Sequence, residues 1–94
     1  MNDKLRTKAM DELFKAILTL ETVDEAYDFF EDLCTVNELE SMKQRFEVAR
    51  MLKSKITYQE IEEKTGASSA TISRVNRSLN YGNEGYNIVL ERMK

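Results

Sequence analysis

Several side chains suited to binding another molecule fall within residues 57–79, which read TYQEIEEKTGASSATISRVNRSL. Two of them are Arg74 and Arg77, whose guanidinium forks pair bidentately with phosphate or with guanine. Ser69 and Ser73 add small hydroxyls to the same predicted helix face, and Ala70 lies between them. A slim helix face of this composition fits the major groove of DNA. We therefore expect contacts to bases or phosphates here.

Two short helices joined by a glycine turn are predicted to position these side chains. Thr57 and Glu60 form a capping box that starts the first helix, and Gly66 stands where a left-handed residue would end it. Ser68 is the expected N-cap of the second helix. The inward residues of both helices are expected to be Ile61, Ile72, Val75 and Leu79. The whole pattern predicts a helix-turn-helix.

Simpler interpretations of the same residues remain open. Arg74 and Arg77 could serve as solubilising surface charges or pair with Glu60 or Glu63, and the serines could serve only to keep the helix face flat. Packing roles, rather than stacking on bases, are predicted for the two tyrosines that flank the next turn, Tyr81 and Tyr86.

Composition favours a folded binding protein over an enzyme. The chain has 94 residues, 41% apolar and 33% charged, which suits one soluble domain. It has no histidine and one cysteine, so a zinc site or a Cys/His catalytic pair has no side chains to form it. We expect no catalysis, no metal and no cofactor. No apolar run approaches membrane-spanning length and no signal peptide is recognisable, which predicts a cytoplasmic protein without membrane contact.

Charge is unevenly distributed along the chain, although the net charge is −3. Residues 1–52 carry a balance of −5, whereas residues 53–80 carry a balance of +2. Positive charge is therefore concentrated in the predicted DNA-reading segment, where it would attract phosphates. Because the patch is modest, a single copy is expected to bind DNA weakly.

Six helices and no strand are predicted. Three helices precede the motif, at Asp3 to about Leu20, Thr22 to about Cys34 and Thr35 to about Lys53, and a last one follows a turn-rich break at 80–85. Glu25 and Glu38 complete capping boxes with the two threonines that open the second and third helices. The inward stripe of the third helix is predicted to comprise Leu39, Met42, Phe46, Ala49 and Leu52.

The apolar stripe of the first predicted helix indicates that the chain pairs with a second copy of itself. The stripe is wide and no earlier element can cover it, and it contains Leu5, Ala9, Met10, Leu13, Phe14, Ile17 and Leu18. Exposed apolar area of this extent usually marks an interface. A two-fold dimer would place two recognition helices in successive major grooves, roughly 34 Å apart, on a palindromic site. The alternative is a monomer whose first helix packs on its own second and third helices.

The residues resemble a known family. The run GASSATISRVNRSL, preceded by TYQEIEEKT, is similar to the DNA-reading segment of the tryptophan operon repressor superfamily. The upstream run LCTVNELESMKQRFEVARML, continued by KSKI, resembles that superfamily's central helix. The likeness covers about residues 30–80, and the whole chain is more similar to the small TrpR-like YerC/YecD branch than to the amino-acid-sensing repressor.

The resemblance implies an all-α, intertwined homodimer that represses transcription, with three interwoven helices and a fourth and fifth that read DNA. By this likeness Tyr58 and Gln59 approach the phosphate backbone, while Ser69, Ala70 and Ser73 face base edges. The full predicted DNA interface is Tyr58, Gln59, Lys64, Ser68, Ser69, Ala70, Thr71, Ser73, Arg74 and Arg77. Tryptophan-binding members hold their ligand between two arginines and near a hydroxyl, and the residues here that look equivalent are Arg45, Arg74 and Ser78.

Two positions depart from the family pattern. Tryptophan-responsive members have glycine directly after the second arginine, where this chain has Val75, so we expect no tryptophan response. At Glu62 the repressor has a lysine that helps to hold DNA, whereas an acid there would repel phosphate. Arg45 also has a simpler interpretation, as the partner in a helix-surface ion pair of one of the flanking acids, Glu38, Glu40 or Glu47.

The sequence therefore predicts a single TrpR-like domain over residues 1–94. Its expected parts are dimerisation helices at 1–53, a helix-turn-helix at 57–79 and a C-terminal helix at 84–94. The expected function is that of a sequence-specific DNA-binding regulator, a repressor that reads a palindromic operator. The alternative is a dimeric protein-interaction module that uses the same scaffold to bind a protein partner.

Overall fold

The computed structural model describes residues 3–94. A 3-10 turn at Asp3–Leu5 precedes six α-helices, numbered in chain order as α1 Lys8–Ile17, α2 Val23–Leu33, α3 Val36–Lys53, α4 Tyr58–Thr65, α5 Ser69–Tyr81 and α6 Gly85–Arg92. Over the described range there is no strand. The predicted all-α class and the predicted number of helices are both confirmed.

Hydroxyl N-caps decide where five of these helices begin. In each case a threonine or serine oxygen accepts a hydrogen bond of 3.1–3.3 Å from the backbone N–H three residues later, and the caps are Thr7, Thr22, Thr35, Thr57 and Ser68. At Thr35 the capping box is reciprocal, because its own N–H donates to Glu38 Oε1 at 2.8 Å. The hydrogen bonds from Thr35 hold the pKa of the Glu38 carboxyl below its usual value.

The first helix is shorter than predicted. The pattern from Asp3 to about Leu20 indicated one continuous helix, but the backbone is extended at Thr7, with φ −134° and ψ 165°. The Thr7 hydroxyl accepts from the N–H of Met10, so a new helix starts there instead of continuing from the preceding turn. The helix ends at Ile17, and Leu18 is its C-cap.

The chain forms two compact units, one up to Leu39 and the other from Glu40 to Lys94. In the described part of the first unit no residue is buried, although α1 and α2 are rich in apolar side chains. Leu18 is 82% exposed and Val23 is 73% exposed. Phe29 and Phe30 do contact each other edge to face, with ring centroids 5.7 Å apart. The described residues of this unit therefore bury little of their apolar surface.

The second unit has a small buried core. The buried residues come from α3, α4, α5 and the turn between the last two, and they are Val48, Ala49, Ile61, Ala67, Ile72, Val75 and Leu79. Every inward residue predicted for the helix-turn-helix is confirmed. The stripe predicted for α3 is only partly right, because Val48 is buried and was not expected, whereas Met42 is exposed. This core fixes which sides of α4 and α5 remain at the surface.

The turn between α4 and α5 is held by specific hydrogen bonds. Gly66 is left-handed, with φ 73°, and its N–H donates to a carbonyl of α4 at 2.9 Å. The Thr65 hydroxyl donates to the Ile61 carbonyl at 2.7 Å and accepts from the Ala67 N–H at 3.1 Å. From α3, the Gln44 side-chain amide donates to the Thr65 carbonyl at 3.1 Å. These hydrogen bonds anchor the turn to α3 and α4.

Candidate nucleic-acid interface

The fifth helix separates core side chains from a polar, slim face. Ile72, Val75 and Leu79 are buried on one side. The other side is exposed and contains the predicted reading residues Ser69, Ala70, Ser73, Arg74 and Arg77. The separation follows from the three-and-four spacing of the apolar residues, which gives a helix one buried stripe. These five residues therefore lie on the exposed side of α5, opposite the apolar stripe, as the helical spacing predicted.

Two other predicted interface residues are engaged in starting that helix. Ser68 Oγ accepts from the Thr71 N–H and also lies 3.1 Å from Thr71 Oγ1, as its hydrogen-bond donor. Ser68 is exposed, whereas Thr71 is half-buried. Because the Ser68 hydroxyl both donates and accepts within the cap and the Thr71 side chain is half-buried, these residues have less capacity to bind DNA than Ser69 and Ser73. Neither of the latter two makes a side-chain hydrogen bond within the described residues.

The arginines of α5 carry no internal counter-charge. Within residues 3–94 the ion pairs are Lys43 with Glu40 at 2.6 Å and Lys94 with Glu91 at 3.0 Å. Neither pair involves Arg74 or Arg77, so the simpler interpretation of these arginines as partners of α4 acids is wrong. Helix α5 itself contains no acidic residue. Its guanidinium groups are thus available to an external anion.

Helix α4 adds polar and aromatic side chains. Tyr58, at its first position, is exposed, as are Gln59 and Lys64. Residues three and four apart on a helix share a face. Glu62 is three residues from Gln59 and four from Tyr58, and it is exposed as well. The face that carries the two predicted phosphate contacts therefore also carries a carboxylate.

The three residues matched to an effector site lie at the surface. Arg74 and Ser78 are exposed and one turn apart on α5, and Arg45 is exposed on α3. Arg45 forms no ion pair among the described residues, so its interpretation as the partner of a neighbouring acid is wrong. Instead Glu40 pairs with Lys43, and that contact raises the pKa of the lysine. Val75 is only 1% exposed and belongs to the core.

One surface aromatic residue was missed. Tyr81 is 87% exposed, so its predicted packing role is wrong, whereas Tyr86 packs against the core as predicted. The error follows from the helix end, since α5 runs to Tyr81 and not to Leu79. Helical spacing carried two residues further would have placed Tyr81 one turn beyond Arg77, on the polar side.

The described residues contain no group of histidine, cysteine, aspartate and glutamate side chains able to hold a metal ion. None of their helices combines the length and the apolar character needed to cross a bilayer.

A buried apolar stripe, a left-handed glycine turn and an exposed cationic second helix together define a helix-turn-helix. The chain belongs to the Trp repressor family, whose model, described as Trp repressor protein, matches residues 8–94. Membership indicates a regulator that binds DNA through this motif, in a family of regulators rather than enzymes.

Individual relatives agree with this assignment. The chain is 59% identical over 92 residues to the uncharacterised protein YerC of Bacillus subtilis, covering 98% of this chain and 88% of the relative. A crystal structure of a TrpR-like protein from Eubacterium eligens ATCC 27750 matches with a TM-score of 0.95 and 66% identity, over 98% of this chain and 95% of the other. The crystal structure of a candidate Trp repressor from Staphylococcus aureus matches with a TM-score of 0.95 and 58% identity. The match covers 99% of this chain and 94% of the other. The predicted TrpR-like fold and the resemblance to the YerC/YecD branch are confirmed.

Proposed function

We propose that this protein is a homodimeric transcriptional repressor that reads a palindromic operator. Each subunit inserts the N-terminal part of α5 into a major groove, and the two subunits occupy successive grooves on one side of the duplex. Repression follows because the bound dimer blocks polymerase at a promoter. The proposed place of action is the cytoplasm, where bacterial promoters lie.

The observation that carries the proposal is the unpaired cationic face of α5. Arg74 and Arg77 are exposed and have no ion-pair partner among the described residues, in a chain whose net charge is negative. A negatively charged protein that leaves its motif arginines unpaired keeps them available for another anion. In a helix-turn-helix of the Trp repressor family, the phosphates of duplex DNA are the anion that fits.

The proposed roles within the interface are those that the family resemblance implies. Ser69, Ala70 and Ser73 are proposed to face base edges, with the Ala70 methyl suited to a thymine methyl. Arg74 and Arg77 are proposed to bind phosphates or guanines. The residues proposed to fix the register on the sugar–phosphate backbone are Tyr58, Gln59, Lys64, Ser68 and Thr71.

Exposed apolar residues of the first unit support a dimer. None of its described residues is buried. Its large exposed apolar side chains include those of Leu5, Phe14, Leu18, Val23, Tyr27 and Leu33. Apolar surface of this extent is typical of an interface. We propose that residues 1–53 pair with the same residues of a second copy. The helix-turn-helix at 57–79 and the C-terminal helix at 84–94 complete a single domain.

The proposed repressor works without tryptophan. Val75 directly follows Arg74, and its side chain is packed in the core at the position where tryptophan-responsive members have glycine. The two methyl groups would occupy space that an indole ring needs. Arg45, Arg74 and Ser78 are therefore left as surface residues with no assigned effector, and no cofactor is proposed.

The test is retention of the dimer on non-specific duplex DNA across a salt gradient. We expect salt-dependent elution, with Arg74→Ala and Arg77→Ala eluting at lower salt than the unmodified protein. Each loss of a phosphate contact should reduce the slope of log affinity against log salt by about one per subunit. The matched control is Arg92→Ala on α6, which removes the same charge outside the motif and should change the slope little.

Equal elution of all four proteins would contradict the proposal. It would favour the alternative function, a dimeric module whose helix-turn-helix binds a protein partner. The exposed Glu62 and the overall negative charge are the features that suit that alternative.

A further inference from the structure

Side-chain amides from two flanking helices donate hydrogen bonds to the backbone of the helix-turn-helix. Gln44 of α3 donates to the Thr65 carbonyl at 3.1 Å, and Asn87 of α6 donates to the Leu79 carbonyl at 3.1 Å. Each bond ends on a carbonyl in the last turn of a motif helix. The Gln44 bond holds the turn that leads into the reading end of α5, whereas the Asn87 bond holds the far end of that helix.

The Gln44 bond satisfies a carbonyl that the motif itself leaves without a partner. Thr65 is the last residue of α4, and the carbonyls of a last helical turn have no intrahelical donor. Within the described residues no backbone N–H donates to the Thr65 carbonyl. Only the amide nitrogen of a glutamine side chain can donate to a carbonyl, so the contact has a single orientation.

Thr65 connects this bond to the rest of the turn. Its hydroxyl donates to the Ile61 carbonyl and accepts from the Ala67 N–H, and Ile61 and Ala67 are both buried. Gln44 and Thr65 are half-buried, which limits competition from water. Apolar packing is non-directional, whereas a hydrogen bond depends on distance and angle. The Gln44 bond therefore specifies where the turn lies on α3.

We propose that Gln44 is a positioning residue for DNA binding, which holds the turn between α4 and α5 on α3 so that the reading end of α5 is fixed without an effector. This inference rests on the proposed function. Ser69, the first proposed reading residue, follows Thr65 by four positions, so a shift of the turn on α3 moves the reading surface. A reading helix that is already held in its binding orientation loses no affinity to being ordered on DNA.

The experiment compares Gln44→Met with Asn87→Leu. Each substitution removes one amide donor and keeps a side chain of similar size, the first at the turn and the second at the far end of α5. Amide hydrogen exchange at Ala67, followed by NMR, measures local opening of the turn. Gln44→Met should raise the exchange rate about fivefold, the equilibrium effect of one net intramolecular hydrogen bond. Asn87→Leu should leave it unchanged, because opening of the turn does not break the Leu79 bond.

Gln44→Glu is a second variant with the same purpose. It keeps the shape of the side chain, but its ionised carboxylate at neutral pH has no hydrogen to donate to the Thr65 carbonyl. It should therefore raise the Ala67 exchange rate at least as much as Gln44→Met. Thermal melting of each variant identifies the temperature at which all of them are folded, and the measurements are made there.

DNA affinity is the second measurement, since a purely structural role would not change it in fully folded protein. Fluorescence anisotropy follows binding to a non-specific duplex of about 24 base pairs, which has room for both recognition helices. Gln44→Met should weaken binding about twofold to fivefold, because a smaller fraction of the protein has its turn in place. The slope of log affinity against log salt should not change, since no phosphate contact is lost. Asn87→Leu should bind as tightly as the unmodified protein.

Two results would overturn the inference while leaving the proposed function intact. One is Ala67 exchange or DNA affinity in the Gln44 variants equal to that of the unmodified protein. The other is the same change in both measurements for Asn87→Leu, which would make the Gln44 bond a contribution to general stability. Failure of the proposed function is recognised separately, by binding that does not depend on salt and does not respond to Arg74→Ala.

Discussion

Val75 belongs to the buried core, and we propose that it also prevents a response to tryptophan. It lies in the core with Ile72 and Leu79, and together they bury one side of α5. The neighbouring Arg74 remains at the surface and available to DNA. Valine at this position is therefore compatible with the fold of α5, and its filling of space that tryptophan would occupy stays a proposal.

Free tryptophan should not bind this protein. Adding the free amino acid to the protein should leave its melting temperature unchanged, because a ligand that does not bind the native state cannot stabilise it. Differential scanning fluorimetry over a tryptophan series measures this directly, with alanine as the control ligand. A rise in melting temperature at low ligand excess would show that Val75 does not block the site.

At the scale of helices, hydroxyl caps made much of the chain predictable. Thr22, Thr35 and Thr57 were recognised from a glutamate three residues later, and Ser68 from its place before the apolar stripe of α5. Each of the four caps a helix in the structure. Gly66 ends α4 as expected, because a left-handed residue favours glycine. Where a hydroxyl cap or a terminal glycine was recognised in the sequence, the predicted helix boundary lies within one or two residues of the observed one.

The end of α3 was predicted at about Lys53 and lies there, although no glycine marks it. Lys55 is left-handed, with φ 65°, and the N–H groups of Lys55 and Ile56 donate to the carbonyls of Leu52 and Met51, both at 3.1 Å. This is a Schellman motif with a lysine in the position that usually holds glycine. The Ile56 side chain packs against the core and helps to hold the strained residue in place. The helix thus ends at the predicted residue with the support of packing and without a glycine.

Lys55→Gly should therefore stabilise the protein. Glycine adopts this backbone conformation without the steric cost of about 1–2 kcal/mol that a left-handed lysine carries, although it loses more entropy on folding, so the net gain should be about 0.5–1 kcal/mol. Denaturant unfolding measures the change. Lys53→Gly, at the last residue of α3, removes the same charge from a helical residue and should be destabilising. Equal destabilisation by both changes would contradict the account of this helix end.

For the whole molecule, the two units differ in how well they bury their apolar residues. The unit from Glu40 to Lys94 has a closed core, whereas the described residues of the other unit, 3–39, contain no buried side chain. The wide apolar stripe of the first helix was recognised in the sequence because helical spacing shows which residues share a face. What covers that stripe is not encoded by spacing, so the second copy stays a proposal.

Phe14→Asp tests the proposed dimer. If a second copy covers α1, a charge at this half-exposed phenylalanine should convert the dimer to monomers and lower the melting temperature. Lys15→Asp, at the next and exposed position, should leave the dimer intact. Sedimentation velocity over a tenfold dilution series distinguishes the species. A protein that is monomeric at all concentrations, with Phe14→Asp as stable as the parent, would contradict the dimer.

The most direct test of the whole account is selection of bound duplexes from a random pool, followed by sequencing. A dimer that reads DNA through α5 predicts a two-fold symmetric consensus, with half-sites whose centres lie about 10 base pairs apart. Arg77→Ala or Ser73→Ala should relax the consensus at corresponding positions of both halves. A pool that stays random, or a consensus without symmetry, would contradict the claim that paired α5 helices read an operator.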